Sequence, residues 1–183
     1  MSVVRGRGLT LVRGGRSLFE GLDIDVAPGG ATLLTGPNGC GKSSLIRLVA
    51  GLLHPRAGSI ERKAAAFAND DLALDQELPL GRALAFWGGP RLAEAMTAFG
   101  LARLADVPVR LLSTGQARRA RLARVMASGA PLWLLDEPLN GLDSDGRERL
   151  EAAIRDHRLA GGGVLAASHQ PLGGDWLVMD MTP

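Results

Sequence analysis

Residues 36–44 restrict this chain more than any other stretch. They read Gly36, Pro37, Asn38, Gly39, Cys40, Gly41, Lys42, Ser43 and Ser44. An apolar run at 31–35 precedes them, and a helical pattern predicted over 43–53 follows. In that strand, loop and helix setting the spelling G-x-x-x-x-G-K-S is a phosphate-binding loop. The glycines let the backbone curl so that successive N–H groups point inward and cradle an anion. The helix adds the positive end of its dipole beneath the same anion. Lys42 would reach the β- and γ-phosphates of a nucleotide, and the Ser43 hydroxyl would ligate Mg²⁺. The bland alternative is a glycine-rich turn that caps a helix. Against it, the chain has only two lysines, Lys42 and Lys63, beside nineteen arginines, and one of the two stands at the motif position. Cys40 reads as a small filler of the loop.

A chain of 183 residues suits one compact domain with a sizeable core and a small attached subdomain. With 46% hydrophobic and 22% charged residues it is ordinary for a globular protein. A net charge of +2 demands no nucleic acid. A single cysteine excludes an internal disulfide and a cysteine-built metal site. No apolar run approaches the roughly 20 residues that span a bilayer, and the N-terminus lacks a signal peptide's apolar stretch. The expectation is a cytoplasmic protein, or a peripheral one held at a membrane by a partner.

Along the chain, residues 9–12 and 22–26 alternate as strands do, with Arg13-Gly14-Gly15-Arg16 as the turn. The helix after the loop is expected to stop at His54-Pro55, with His54 on the surface. A strand is expected at 64–70, then an acidic, irregular stretch, then helices between 80 and 104 broken at Gly88-Gly89-Pro90 and Gly100. Phe86 and Trp87 read as core, since large aromatics are usually packed. The helix after residue 113 carries Arg118, Arg119, Arg121 and Arg124, read as a solvated face. The run Pro131-Leu132-Trp133-Leu134-Leu135 ends in Asp136-Glu137, as a buried parallel strand does with functional residues at its carboxyl end. A helix at 144–158 with an exposed His157, a buried strand at 164–167 ending in Ser168-His169, and a short strand at 176–179 complete the pattern. Alternating strands and helices of this kind make a doubly wound α/β sheet. Asp136 then suits a direct or water-mediated Mg²⁺ ligand, and Glu137 a general base for an attacking water.

With these elements in order, the chain resembles the ATP-binding subunits of ABC transporters over nearly its whole length. Leu112, Ser113, Thr114, Gly115 and Gln116 are similar to that family's signature motif, with threonine at the third place. Leu139-Asn140-Gly141-Leu142-Asp143 resembles the loop that crosses the family's dimer interface, and His169 the switch histidine at the γ-phosphate. The resemblance implies a P-loop NTPase fold of RecA-like type, with an N-terminal antiparallel β subdomain and a short helical subdomain. It implies a single domain over 1–183, with residues 1–68 and 131–183 as catalytic core and 69–130 as the helical part. It also implies ATP with Mg²⁺ and a head-to-tail homodimer in which Ser113 and Gly115 act in trans. Integral membrane permease subunits on the cytoplasmic face of the inner membrane would be the partners. Asp106-Val107-Pro108-Val109, Leu132-Trp133-Leu134-Leu135-Asp136-Glu137-Pro138 and Ser168-His169-Gln170-Pro171-Leu172 further resemble the haem-exporter ATPases of cytochrome c maturation, which implies haem-handling partners.

Two departures stand out. No glutamine occurs near 66–70, where the family carries one that touches Mg²⁺ and senses the membrane partner; Phe67-Ala68-Asn69-Asp70-Asp71 stands there instead. The aromatic that stacks on adenine is replaced by Arg13, whose guanidinium plane can stack on a base. The docking groove for a partner is expected around residues 68–90. Other readings are the motor of a different small transporter, a soluble ABC protein acting on other assemblies, and a regulatory module that holds ATP without turnover.

Overall fold

A computed structural model describes residues 1–69, 74–87 and 89–182. Asp70 and Asp71, among the substitutes considered for the absent glutamine, lie outside the described residues. An antiparallel sheet opens the chain: β1 (Val4–Arg13) pairs with β2 (Arg16–Val26) on one side and β4 (Ala57–Arg62) on the other. The second sheet is parallel throughout, in the order β5-β6-β7-β3-β8, formed by β5 (Ala65–Ala68), β6 (Leu132–Asp136), β7 (Gly163–Ala167), β3 (Ala31–Thr35) and β8 (Leu177–Asp180). The helices are α1 (Lys42–Ala50), α2 (Leu80–Phe86), α3 (Leu92–Ala98), α4 (Thr114–Ala127) and α5 (Ser144–Leu159).

The two-residue period of a strand sorts the core into two layers. Leu132 and Leu134 of β6, Leu165 and Ala167 of β7, and Leu34 of β3 face α1 and the antiparallel sheet. Trp133 and Leu135 of β6 and Val164 and Ala166 of β7 face the other way, toward α2 to α5. Both faces of the parallel sheet are therefore covered, which explains why its central strands read as continuous apolar runs.

Several expectations needed correction. Helix α1 ends at Ala50, before His54-Pro55: Gly51 takes φ 82°, and Leu52 N–H reaches back to Arg47 O at 2.8 Å in a Schellman closure. Strand β4 was not expected, because Ala-Gly-Ser-Ile-Glu-Arg has little strand propensity; its ladder with β1 supplies the order. Phe86 is 80% exposed and Trp87 44%, so neither is core. The buried residues of α2 are Leu80, Ala83 and Leu84, which leaves Phe86 off the packed face and Trp87 at the helix end. Nor are the four arginines of α4 a solvated face, since all are half-buried. Arg119 pairs with Asp145 at 2.8 Å, and Arg124 donates to the Phe67 carbonyl.

His157, expected at the surface, is only 7% exposed. It falls on the stripe Leu150, Ala153, Ile154 and His157 that α5 turns inward, and its ring stacks on Trp133 with centroids 4.1 Å apart. Burial holds its pKa below the ordinary 6.5, with a smaller push from Arg91 and opposing hydrogen bonds to the Gly163 and Pro131 backbone. The unfolded chain therefore takes up this proton near pH 6.5, while the folded chain resists it to lower pH. Stability should fall as pH drops from 7.5 through that window, and should stop falling on this account below the folded value. Thermal denaturation at pH 7.5 and 5.5 checks this: His157→Phe, which keeps the stack without the proton, should show a smaller drop in Tm than the wild type.

Candidate functional site

Strand β3 ends at Thr35, and the chain turns through residues 36–41 into α1. Gly41, the N-cap, has φ 110°, a left-handed conformation that L side chains rarely adopt, and an added Cβ would stand 3.1 Å from Phe19 Cδ1. No side chain caps this helix, so the N–H groups of its first turn and the positive end of its dipole are directed toward the loop. Lys42 is buried and donates from Nζ to Gly36 O at 2.7 Å and Pro37 O at 3.0 Å, so the loop braces its own lysine. Cys40 is buried beneath the loop, as a filler would be.

Above this loop lies a cleft of about 510 Å³. The structure brings to it Asn38, Gly39, Gly41, Lys42, Ser43 and Ser44, with Arg13 from the end of β1. Glu137 and His169 come from the ends of β6 and β7. Of the other lining residues, Leu18 was not expected at the site, and Asn140 is read from the sequence only as part of the loop 139–143 that resembles the family's interface loop. Asn140 stands in an Asn-Gly turn two residues beyond Pro138, and that turn was the available signal. Asp136 reaches the loop from below: its Oδ1 accepts from Ser43 Oγ at 2.8 Å across 93 residues of sequence.

Glu137 is the only non-glycine with positive φ among the described residues, at 50°. That conformation is strained and is held where the backbone is over-determined. Here Glu137 N–H donates to Ala167 O at 2.9 Å. Its carboxylate accepts from the His169 backbone N–H at 3.3 Å and lies 3.5 Å from His169 Nε2. A carboxylate and an imidazole thus face the cleft together, beside a cation and a helix N-terminus, a set suited to acid–base work on a bound phosphate.

Behind Glu137, a second, small pocket is lined by Asn69, Arg118, Arg121, Asp136, Glu137 and Asn140. Asn69, at the end of β5, is thus near the carboxylates. Arg118 lies across the backbone of Gly141, where an added Cβ would come within 0.8 Å of its Nη1.

The signature-like residues 112–116 do not line the main cleft. They start α4. Ser113 is the N-cap: its Oγ accepts from Gln116 N–H at 3.2 Å, and its own N–H donates to Gln116 Oε1 at 2.9 Å, a complete capping box. Thr114 is exposed, Leu112 packs on the core, and a Cβ on Gly115 would meet no atom of the other described residues within 4 Å, its own helix backbone and chain neighbours aside. Asp143 caps α5, accepting from Gly146 N–H at 2.8 Å.

Comparison with known proteins agrees with this geometry. The family model for ABC transporters matches residues 19–140. A protein of Novosphingobium aromaticivorans named cytochrome c biogenesis ATP-binding export protein CcmA is 58% identical over 162 residues, covering 87% of this chain and 85% of that one. A protein of the same name from Sphingopyxis alaskensis is 53% identical over 169 residues, covering 88% and 87%. A solved structure of the ATP-binding subunit of an ABC transporter superposes with a TM-score of 0.84 at 24% identity, covering 92% of this chain and 80% of that one, which supports the fold. A phosphate loop, a strand-end Asp-Glu pair and a matching family model lead to one conclusion: the chain belongs to the ABC transporter family and is an ABC-type ATPase.

Proposed function

We propose that this chain is the ATP-hydrolysing subunit of a cytochrome c biogenesis export system, working as a homodimer closed on ATP at the cytoplasmic face of the inner membrane. The observation that carries the chemistry is the convergence of Lys42, Ser43, Glu137 and His169 on one cleft, with Asp136 bonded to Ser43. What carries the export assignment is the shared name of relatives above 50% identity. No helix among the described residues is long and apolar enough to cross a membrane, so the transport path would belong to integral membrane permease subunits. Haem-handling proteins would be the further partners of such a system.

In this reading Lys42 exchanges its two loop carbonyls for the β- and γ-phosphate oxygens. Backbone N–H groups of the loop and of the first turn of α1 hold the β-phosphate. Arg13, at the rim, lays its guanidinium plane on the adenine. Ser43 and Asp136, hydrogen-bonded at 2.8 Å, supply two hard oxygen donors of the kind Mg²⁺ takes and would hold it there. The bound ion would neutralise charge on the phosphates. Glu137 takes the proton of the attacking water, and the His169 backbone N–H fixes the orientation of its carboxylate. His169 Nε2 leaves its 3.5 Å contact with Glu137 to turn toward the γ-phosphate.

The trans role of the signature residues draws support from what they do not do in this chain. Ser113 spends an acceptor lone pair on capping α4, which leaves its O–H as a donor. Nothing among the described residues requires glycine at 115, yet it stands at an exposed helix start. A phosphate brought by a second copy would use that donor and that space. Asp143 and the loop before it would cross the same interface.

The exposed Phe86 and Trp87 lie within residues 68–90, the segment expected to dock a partner, and Leu52, at 63% exposure, lines one groove with Trp87.

Glu137→Gln should lower ATP turnover by at least about a hundredfold, roughly 2.7 kcal/mol of barrier, while MgATP binding stays within a few-fold. MgATP should also convert that variant to a dimer on gel filtration. Turnover equal to wild type would remove Glu137 as the base. Gly115→Ala should leave Tm unchanged or raise it slightly, by about 0.5–1 kcal/mol of helix propensity. It should abolish ATP-dependent dimerisation and turnover; full activity in this variant would refute close approach of a phosphate in trans.

A further inference from the structure

The groove beside Trp87 has an unusual floor. It measures about 370 Å³ and is walled by Leu52, Ala65, Ala66, Phe67 and Trp87, yet a guanidinium, that of Arg124, stands within it. Arg124 reaches it from α4 and is tied on two sides. One terminal nitrogen donates to the Phe67 carbonyl, and the guanidinium carbon lies 4.8 Å from the centroid of the Trp87 ring. Its Nε makes no hydrogen bond among the described residues, and no described carboxylate forms an ion pair with it. Burial lowers its pKa to about 10, a direction opposite to that of the ion-paired Arg91 and Arg149. The cation is therefore half-dehydrated before any partner arrives, compensated by one carbonyl and an aromatic face.

Covering this groove would remove the water that Arg124 still has. A purely apolar segment would leave the cation buried and unpaired, which strongly disfavours binding; a carboxylate at that point would supply the missing anion through a charge-assisted, two-pronged contact. The other side of Trp87 lacks such a cation. There the lining is Asp75, Leu78, Ala83, Phe86 and Trp87, and Asp75 is already engaged with the Glu77 N–H. The positive charge of the site thus lies on the Arg124 side of the aromatic pair, opposite the Asp75 carboxylate, which gives an occupant a direction as well as an address.

We propose that this groove receives an apolar segment of the membrane partner carrying an aspartate or glutamate, and that Arg124 is the residue that selects it. The inference rests on the docking reading given under Proposed function and adds the chemistry of the occupant. Because Arg124 also holds the carbonyl of Phe67, two residues before Asn69, the same contact would bear on the end of β5 beside the catalytic carboxylates.

The test uses the full chain, tagged in its native host. A photo-crosslinking side chain replaces Leu52, which lines the groove and is exposed. Crosslinked peptides from detergent-solubilised membranes should come from an integral membrane protein, with an Asp or Glu among apolar residues within about one helical turn of the crosslink. Arg124→Glu should cut recovery of that membrane protein at least tenfold, and reversing the partner's acid to lysine should restore it. Arg124→Met, closer in shape and without charge, should also lose recovery, whereas Arg124→Lys, which keeps the charge but not the planar fork, should keep only part of it. Unchanged Tm and MgATP binding in Arg124→Met guard against a folding defect. If Arg124→Glu fails to fold, Arg124→Met decides, through its own recovery of the membrane protein. Recovery equal to wild type in Arg124→Met, or a crosslinked membrane segment without an acid in reach, would overturn the inference and leave the docking reading standing. Crosslinks to a second copy of this chain, or to no membrane protein at all, would overturn both.

Discussion

The hydrogen bond between Ser43 and Asp136 joins groups 93 residues apart, and it exists because β7 lies between β3 and β6. Ala167, near the end of β7, is the common reference. Leu34 of β3 pairs with it on one side and Asp136 of β6 on the other, and Glu137 N–H donates to its carbonyl. Phosphate loop, carboxylate pair and His169 are therefore placed by the register of three parallel strands. In such a sheet a slip of one residue turns every side chain to the opposite face, so the buried two-sided core protects the site geometry. Leu34, Leu132, Leu134, Leu165 and Ala166, all fully buried, are among the residues that forbid the slip.

That rigidity permits two local departures from ordinary backbone. Gly41 begins α1 in a left-handed conformation without a capping side chain, and Glu137 holds a positive φ that glycine would adopt more readily. Glycine adopts the first readily, whereas the second costs on the order of 1 kcal/mol or more when taken alone. Both lie at the carboxyl ends of buried strands, and both serve the same cleft. Gly41 turns backbone N–H groups toward an anion; Glu137 brings a carboxylate around the strand end to meet His169.

The sequence was legible where one physical demand decided a residue. The phosphate loop, the strand-end Asp136-Glu137, and the apolar runs of β3, β6 and β7 could each be read locally. Where tertiary pairing decided, local reading failed. Strand β4 takes its order from β1, and no property of Ala57 to Arg62 announces it. Composition misled at His157, since a histidine near a helix end reads as polar, although its spacing from Leu150 and Ile154 already placed it on the inward stripe. Phe86 and Trp87 failed for the converse reason: aromatic bulk suggests burial, but α2 spends its inward face on Leu80, Ala83 and Leu84. Ser113 and Gln116 have roles inside the chain, as a capping box, that the signature-like spelling did not disclose.

The arginines of α4 show why charge alone is a poor guide to exposure. Three of them differ in what they meet: Arg118 lies over the Gly141 backbone, Arg119 pairs with Asp145 of α5, and Arg124 holds the end of β5 and the ring of Trp87. Long arginine stems cover apolar surface while the head finds a partner, so one helix can be both basic and well packed. The fourteen residues of α4 span roughly 21 Å at 1.5 Å per residue. One end is the Ser113 cap and the other carries Arg124 into the groove beside Trp87. An α-helix of this length, tied to α5 and β5 by those side chains, moves as a unit more easily than it bends. In the docking reading proposed above, a force applied at Trp87 would be felt at Ser113 as well as at Asn69, and the residue coupling them would need both a long reach and a delocalised charge, which lysine would not supply.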